Sequence, residues 1–485
     1  MERKSIILCL ALLLAAVLAM ALTGCATQPV EPQTELHLRE VGLEGVDAEL
    51  LSNIEYLDLR DSGTTDLSML ENCTSLQTLD LRGNDITAEQ FDKLQNALPE
   101  CEILWSVPIA GQTYDSLTKK LVLEGENDGT LGNIKYLTDL VYCDLLNVAE
   151  VDNAELFAVH EQLPDAQIIW NIAVGRSYVR SDATEFNYSS SHGNDLSALK
   201  YCYRLVKADL GNARDGVDFS ALAELPTLRT LDLSSAKITD FSAVSAFENL
   251  TYLSLSETNF NDLSLLSGLT KLEELYLGKF LERHDFAESL DPISELTSLR
   301  KLHVSNAGLK DISAISAMVN IESLALEGNP IEDYSPIANL SNLKTLDLTN
   351  TLVSDISFLS GLVNIETLYI GDVDPTLAAA GYSPKSLGKC RVTDFSPIGN
   401  LVNIENLIIC YTDLEDISFV SSFKKAEVIS LHDNKITDPS PLAGLERVEQ
   451  IELYGNPIPG AAQKELIESM PDTMVYFDNW IDSLF

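Results

Sequence analysis

Six histidines and eight cysteines are the side chains of this 485-residue chain best suited to nucleophilic, general-base or metal chemistry, and their spacing supports none of these. His303 and His432 stand far apart with no nucleophile placed beside either, and His284-Asp285 is a simple neighbour pair. No G-x-S-x-G, H-E-x-x-H or phosphate-loop pattern occurs, and no C-x-x-C pair or Cys/His cluster has zinc spacing. Paired carboxylates are plentiful, but 74 acidic residues against 32 basic ones make that a matter of composition. No catalytic residue, metal ligand or cofactor is assigned, and a non-enzyme is expected. The net charge of −42 also argues against nucleic acid, which needs clustered Lys and Arg, and against polybasic contact with anionic lipid. It leaves two readings: solubility through self-repulsion, or a cationic partner such as a basic protein or bound divalent ions.

The chemistry that spacing does support is non-covalent recognition. A register residue recurs at Leu205, Leu228, Leu250, Leu272, Leu299, Ile321, Leu343, Ile365, Ile404, Ala426 and Val448, most often 22 residues apart. Each unit follows the frame L-x-x-L-x-L-x-x-N-x-I, as in Ile321, Leu324, Leu326, Asn329 and Ile331. Positions 4, 6 and 11 are apolar and must face a core, while positions 3, 5 and 7 alternate outward along a strand. Those outward positions are polar and dotted with tyrosine, a residue enriched where binding energy concentrates. Tyr252, Glu274, Tyr276, Lys301, His303, Asp347, Thr367 and Tyr369 form the candidate partner-binding group. Two units break the spacing: the one from Leu272 is 27 residues long, with its excess within 279–286, and the one from Ile365 is 39 long, with its excess within 371–389. Insertions in stacked repeats emerge on one face, so these two are expected to frame that group, roughly 20 Å apart at about 4.8 Å per strand.

A unit this short cannot bury its own apolar face and must stack on its neighbours. After each strand the pattern Asp-x-Ser recurs, as in Asp311-Ile312-Ser313 and Asp355-Ile356-Ser357, and can cap a single tight turn. Proline follows in Ser335-Pro336, Ser396-Pro397 and Ser440-Pro441, where a first helical turn tolerates it. Only about eight residues remain before the next strand, which suits a 3₁₀ turn. Asn84, Asn329, Asn434 and Asn456 can satisfy neighbouring backbone, whereas Ala236, Thr258, Ala307, Thr351 and Thr412 should interrupt that ladder. Between residues 70 and 199 the chain duplicates itself with an offset near 65, Trp105 matching Trp170 and Leu98-Pro99 matching Leu163-Pro164. Each copy holds a helix, over 88–98 or 153–163, followed by a strand over 102–107 or 167–174. A last helix over 461–470 and a strand over 474–477 form a closing cap. Six cysteines beyond Cys25 read as small buried hydrophobes; Cys390 and Cys410 lie on adjacent units and stand open between bridged and free.

At the N-terminus, Arg3 and Lys4 precede an apolar run ending in Leu22-Thr23-Gly24-Cys25, the layout of a secretory signal. That ending resembles the lipobox of bacterial lipoproteins. The resemblance implies cleavage after residue 24, diacylation of Cys25 and a protein held at the bacterial membrane by lipid, extracytoplasmic and surface-exposed. The 22-residue frame over about 205–458 resembles bacterial leucine-rich repeats of the internalin-like type, and the longer helical units resemble ribonuclease-inhibitor-like repeats. These resemblances imply an α/β fold, a curved solenoid with a parallel β-sheet on its concave face and short 3₁₀ or helical turns on the convex face. They imply non-covalent binding of a protein or glycan as the function, with an envelope scaffold docking a membrane partner of its own cell as the alternative. An LPxTG sorting signal, common in wall-anchored relatives, is not present. The expected organisation is a signal over 1–24, a lipidated tether over 25–35, longer repeats over 36–204, regular repeats over 205–458 and a cap over 459–485.

Overall fold

The computed structural model describes residues 34–280, 282–373, 386–388 and 390–477. Cys25, the signal and most of the second insertion lie outside these residues. The chain divides into two units, Met1–Gln167 and Ile168–Phe485.

The larger unit carries a 13-stranded sheet running in chain order from Glu185–Asn187 to Met474–Tyr476, every neighbouring pair parallel. The sheet therefore starts one strand upstream of Leu205. Its register is set by the apolar columns. Leu231, Leu253, Leu275, Leu302, Leu324, Leu346, Leu368 and Leu407 stand opposite one another and are fully buried. A one-residue slip would turn that whole column to solvent, so pairing is strongly specified. Behind most strands lies a short 3₁₀ helix, such as Ser313–Ala317, Ser335–Asn339 or Ser357–Gly361. An aspartate launches most of these: the carboxylates of Asp262, Asp311, Asp333, Asp355, Asp394, Asp416 and Asp438 accept the backbone N–H two residues on, at 2.8–3.0 Å, and the Ser289 hydroxyl does the same for Asp291–Ile293.

The asparagine ladder behaves as its gaps predict. Asn329 is wholly buried, donates to the carbonyls of Val304 (2.7 Å) and Leu326 (3.0 Å), and accepts from the N–H groups of Ala307 (3.0 Å) and Leu309 (3.1 Å). Asn434 repeats the same four bonds four turns later. Thr258 and Thr351 instead donate only to Leu255 and Leu348 of their own turns. Their side chains are too short, and carry too few polar atoms, to reach the preceding turn. A second series was not anticipated. Asn320, Asn342, Asn364 and Asn403, each just before a register residue, donate to the carbonyls of Thr297, Val319, Ser341 and Val363 at 2.7–3.0 Å.

The smaller unit holds a four-stranded parallel sheet (Glu35–His37, Tyr56–Asp58, Thr78–Asp80, Glu102–Leu104) and a parallel pair, Lys120–Glu126 with Tyr142–Ala149. Its helices Ala88–Ala97 and Asn153–Gln162 end one residue before the expected limits. The first opens with a capping box in which Thr87 and Gln90 exchange bonds, and the second is capped by Asp152.

The strands expected over 102–107 and 167–174 each break at a buried tryptophan. In the smaller unit Trp105 gives its backbone N–H to Ser116 Oγ (3.2 Å), and Ser116 returns its own N–H to the Trp105 carbonyl (3.0 Å). The chain between them folds into an antiparallel hairpin, Ser106–Ile109 with Gln112–Asp115. In the larger unit Trp170 and Ser181 repeat both bonds around the hairpin Asn171–Val174 with Ser177–Arg180. The missed signal was a turn glycine amid alternating residues: Ala110-Gly111 and Gly175 all take positive φ. All six described cysteines are free and buried, so Cys390 and Cys410 are not bridged. The closing helix and strand, Gly460–Ser469 and Met474–Tyr476, fall within one residue of the expected cap.

Replacing Asn329 with alanine leaves two buried N–H groups and two carbonyls short of a partner, a cost on the order of 2–4 kcal/mol. The urea midpoint of the Asn329→Ala variant is expected to fall clearly, whereas Thr351→Ala should move it far less. Equal shifts for the two would show that reach to the preceding turn is not what matters.

Candidate binding surface

Five of the eight candidate residues form one contiguous cluster on the outward face of the larger unit. Glu274 pairs in register with Lys301, and Tyr276 with His303. The Tyr276 hydroxyl donates to Glu274 Oε2 at 2.9 Å, and Lys301 Nζ lies 3.1 Å from Glu274 Oε1. The Tyr252 and Tyr276 rings are 5.4 Å apart, and His303 meets Tyr276 edge-on at 4.8 Å. His303 Nε2 is 3.0 Å from Ser323 Oγ. This packing has electrostatic consequences. Burial, and then the Glu274 carboxylate, push the Tyr276 phenol up, while burial pushes the His303 imidazole down and favours its neutral form.

The other three candidates lie farther along. Asp347 stands two strands from His303, across Ala325, and Tyr369 follows it in register. Thr367 belongs instead with Asn406, whose side-chain amide donates to its hydroxyl at 3.3 Å. Asp347 accepts the Thr349 N–H at 2.8 Å, yet its carboxyl is pushed up to about 6, first by burial and then by the negative charge of Glu327. Sequence reasoning passed over Glu327. It lies at an outward seventh position, takes a hydrogen bond from the Ser305 hydroxyl, and leaves its Oε2 buried without a hydrogen-bond partner among the described residues. The signal available was its place beside the only alanine of the fifth-position row.

The two insertions leave from equivalent points, directly after the strands Glu274–Gly278 and Thr367–Gly371. Both glycines take positive φ, and a Cβ on either would lie within 2.0 Å of the carbonyl oxygen of Ser305 or Cys410. The first insertion is tied down: Asn306 Nδ2 donates to the Lys279 carbonyl (2.8 Å), and the N–H groups of His284 and Phe286 donate to Asn306 and Ala307. Of the second, residues 374–385 and 389 lie outside the described residues.

The smaller unit presents a different outward row, also passed over. Asp58 and Asp80 are almost wholly buried beneath Arg60 and Arg82. Arg60 binds Asp58 (2.6 Å) and reaches Asp80 (3.3 Å), and Arg82 binds Asp80 (2.6 Å) and Asp115 (2.8 Å). Each of these five charged side chains pairs with one of opposite sign. Among the described residues no group of His, Cys, Asp and Glu is arranged to hold a metal ion, and no helix is long and apolar enough to cross a membrane.

One parallel strand per turn, stacked leucine columns and buried asparagines define leucine-rich repeats. A family model for the Leucine Rich repeat matches residues 72–89 and 224–243. Among solved structures the chain is similar to an internalin, InlF, from Listeria monocytogenes, at 27% identity and a TM-score of 0.50 over 62% of this chain and 84% of that one. It is also similar to a leucine-rich-repeat protein of Leptospira interrogans, at 18% identity and a TM-score of 0.46 over 89% of this chain and 97% of that one. The sequence matches no curated protein. Leucine-rich-repeat proteins of internalin type generally mediate protein binding, and no catalytic family is indicated.

The Asp347 carboxyl supplies a signed test. Its folded value lies above the ordinary 3.8, so the folded state holds this proton more tightly, and the contribution to stability declines as pH rises from about 4 to about 6. Asn keeps the acceptor for Thr349 without the charge. At pH 7.5 the Asp347→Asn variant is expected to gain on the order of 2 kcal/mol, and at pH 4 almost nothing. A variant destabilised equally at both pH values would show that the charge of Asp347 costs the fold nothing.

Proposed function

We infer that this is a lipid-anchored leucine-rich-repeat protein of the bacterial surface that binds a protein or glycan non-covalently, through the outward face around Tyr252, Tyr276, His303, Asp347 and Tyr369. The observation that carries this reading is the unbroken Tyr252–Tyr276–His303 ring contact. Half-buried, pre-ordered aromatic rings offer contact area with little left to lose in side-chain freedom. The insertions leave directly after Gly278 and Gly371, at the ends of the strands that carry Tyr276 and Tyr369, and Thr367 sits at the edge of this face. The similarity to an internalin supports recognition as the task. The Leu-Thr-Gly-Cys ending supports anchoring through acylated Cys25.

Two experiments test the two halves. A soluble form starting at residue 26 is used to capture partners from native envelope and from host-cell surfaces, beside a Tyr276→Ala/Tyr369→Ala variant. The variant should retain at most a tenth of each specific partner, and undiminished capture would place binding elsewhere. In the full-length chain, Cys25→Ser should shift the protein from the membrane fraction to the soluble or unprocessed pool. Unchanged membrane retention of processed protein would rule out the lipid anchor.

A further inference from the structure

The fifth outward position reads Tyr276, His303, Ala325, Asp347 and Tyr369 across five adjacent strands in continuous register. Four of these side chains are large or polar and one is a methyl group. The result is a notch whose floor is Ala325, 8% exposed, and whose walls are His303 and Asp347. Those walls stand two strand spacings apart, about 10 Å. Glu327 closes the notch from the turn just past the strand Ser323–Ala325, two residues beyond Ala325.

The notch holds a carboxylate oxygen of a particular kind. Asp58 meets Arg60, Asp80 meets Arg82, and Glu322 lies between Arg300 and Lys344, whereas Glu327 Oε2 is, among the described residues, the one carboxylate oxygen buried without any hydrogen-bond partner. Neither Glu327 nor Asp347 forms an ion pair among the described residues. The nearest lysine on this face, Lys301, is engaged by Glu274. Glu327 has one oxygen bound by a hydroxyl and the other buried without a donor. A buried carboxylate oxygen in that state is stabilised by any donor that reaches it.

We propose that the notch over Ala325 receives a cationic side chain, the ammonium of a lysine or the guanidinium of an arginine, from the protein that docks on this face. The cation's donors satisfy Glu327 and Asp347, and its aliphatic stem lies along the ring row of Tyr276 and His303. A chain with net charge −42 draws such a group in from a distance, and the two carboxylates hold it in place. The proposal rests on the reading of this face as a protein-binding surface and commits to the partner's chemistry there.

The test uses the whole soluble chain from residue 26, with alanine methyl groups labelled for NMR and Ala325 assigned through an Ala325→Ser variant. The probes are N-acetyl-lysine methylamide, N-acetyl-arginine methylamide and, as the uncharged control, N-acetyl-norleucine methylamide. The expected result is a saturable shift of the Ala325 methyl with at least one cationic probe and none with norleucine. That response should weaken at least tenfold in Glu327→Gln, with Asp347→Asn as a second variant should the first fold poorly. Equal responses to norleucine, no response to either cation, or a response indifferent to both substitutions would each overturn the proposal. Such a failure would leave the wider binding reading intact, because that reading is decided by capture with the Tyr276→Ala/Tyr369→Ala variant.

Discussion

No turn of this protein can bury its leucines alone. One strand and one 3₁₀ helix enclose half a core, and the other half belongs to the next turn. The polar backbone is under the same constraint, since a carbonyl facing a neighbouring turn finds no water there. Asn329 meets both demands with one side chain, reaching Val304 on the preceding turn and Leu326 on its own. Strand register, the Asp-x-Ser turns and the second asparagine series at the far end of each strand all serve this stacking. What remains free is the outward face, where positions 3, 5 and 7 answer to no packing rule. Recognition can be written there because stability is written elsewhere.

The outward face carries its own electrostatic tension. In the smaller unit Arg60 and Arg82 neutralise the aspartates beneath them. Around Ala325 in the larger unit nothing comparable happens, and Asp347 holds its proton to a higher pH than an ordinary aspartate. The difference lies in single atoms: Asp58 and Asp80 have guanidinium groups at hand, while Glu327 keeps one oxygen buried without a donor among the described residues.

Much of the fold was legible because its signals are periodic. A leucine or isoleucine at positions 1, 4 and 6 fixes the strand, and Asp-x-Ser fixes the turn behind it. The 65-residue duplication was legible too, down to Trp105 and Trp170. The hairpins were not, because a run of alternating residues reads as one long strand until a glycine such as Gly175 is weighed as a turn. The second asparagine series was overlooked since polar residues before a strand look like ordinary loop. On the surface, the tyrosines and His303 could be chosen by type and spacing. Glu327 could not, because it stands out through a small neighbour, Ala325, and an oxygen buried without a donor among the described residues. Both are relations between turns, which a linear reading sees only once the register is known.

The asparagine ladder has a consequence for how such a protein changes over time. Asn84, Asn329, Asn434 and Asn456 each donate to a carbonyl 25 residues earlier, on the turn before. Recombination that adds or removes one whole unit recreates that spacing, whereas a cut of any other size strands an amide in the core. The exception after Gly371 follows the same rule. Asn403 still finds Val363, now 40 residues back, because the extra length follows the strand end at Gly371 and the next strand, Asn406–Cys410, pairs with Thr367–Gly371 in unbroken register. Gene length in this family of shapes is therefore expected to step in whole turns, with freer growth confined to the few strand ends where a glycine lets the chain leave.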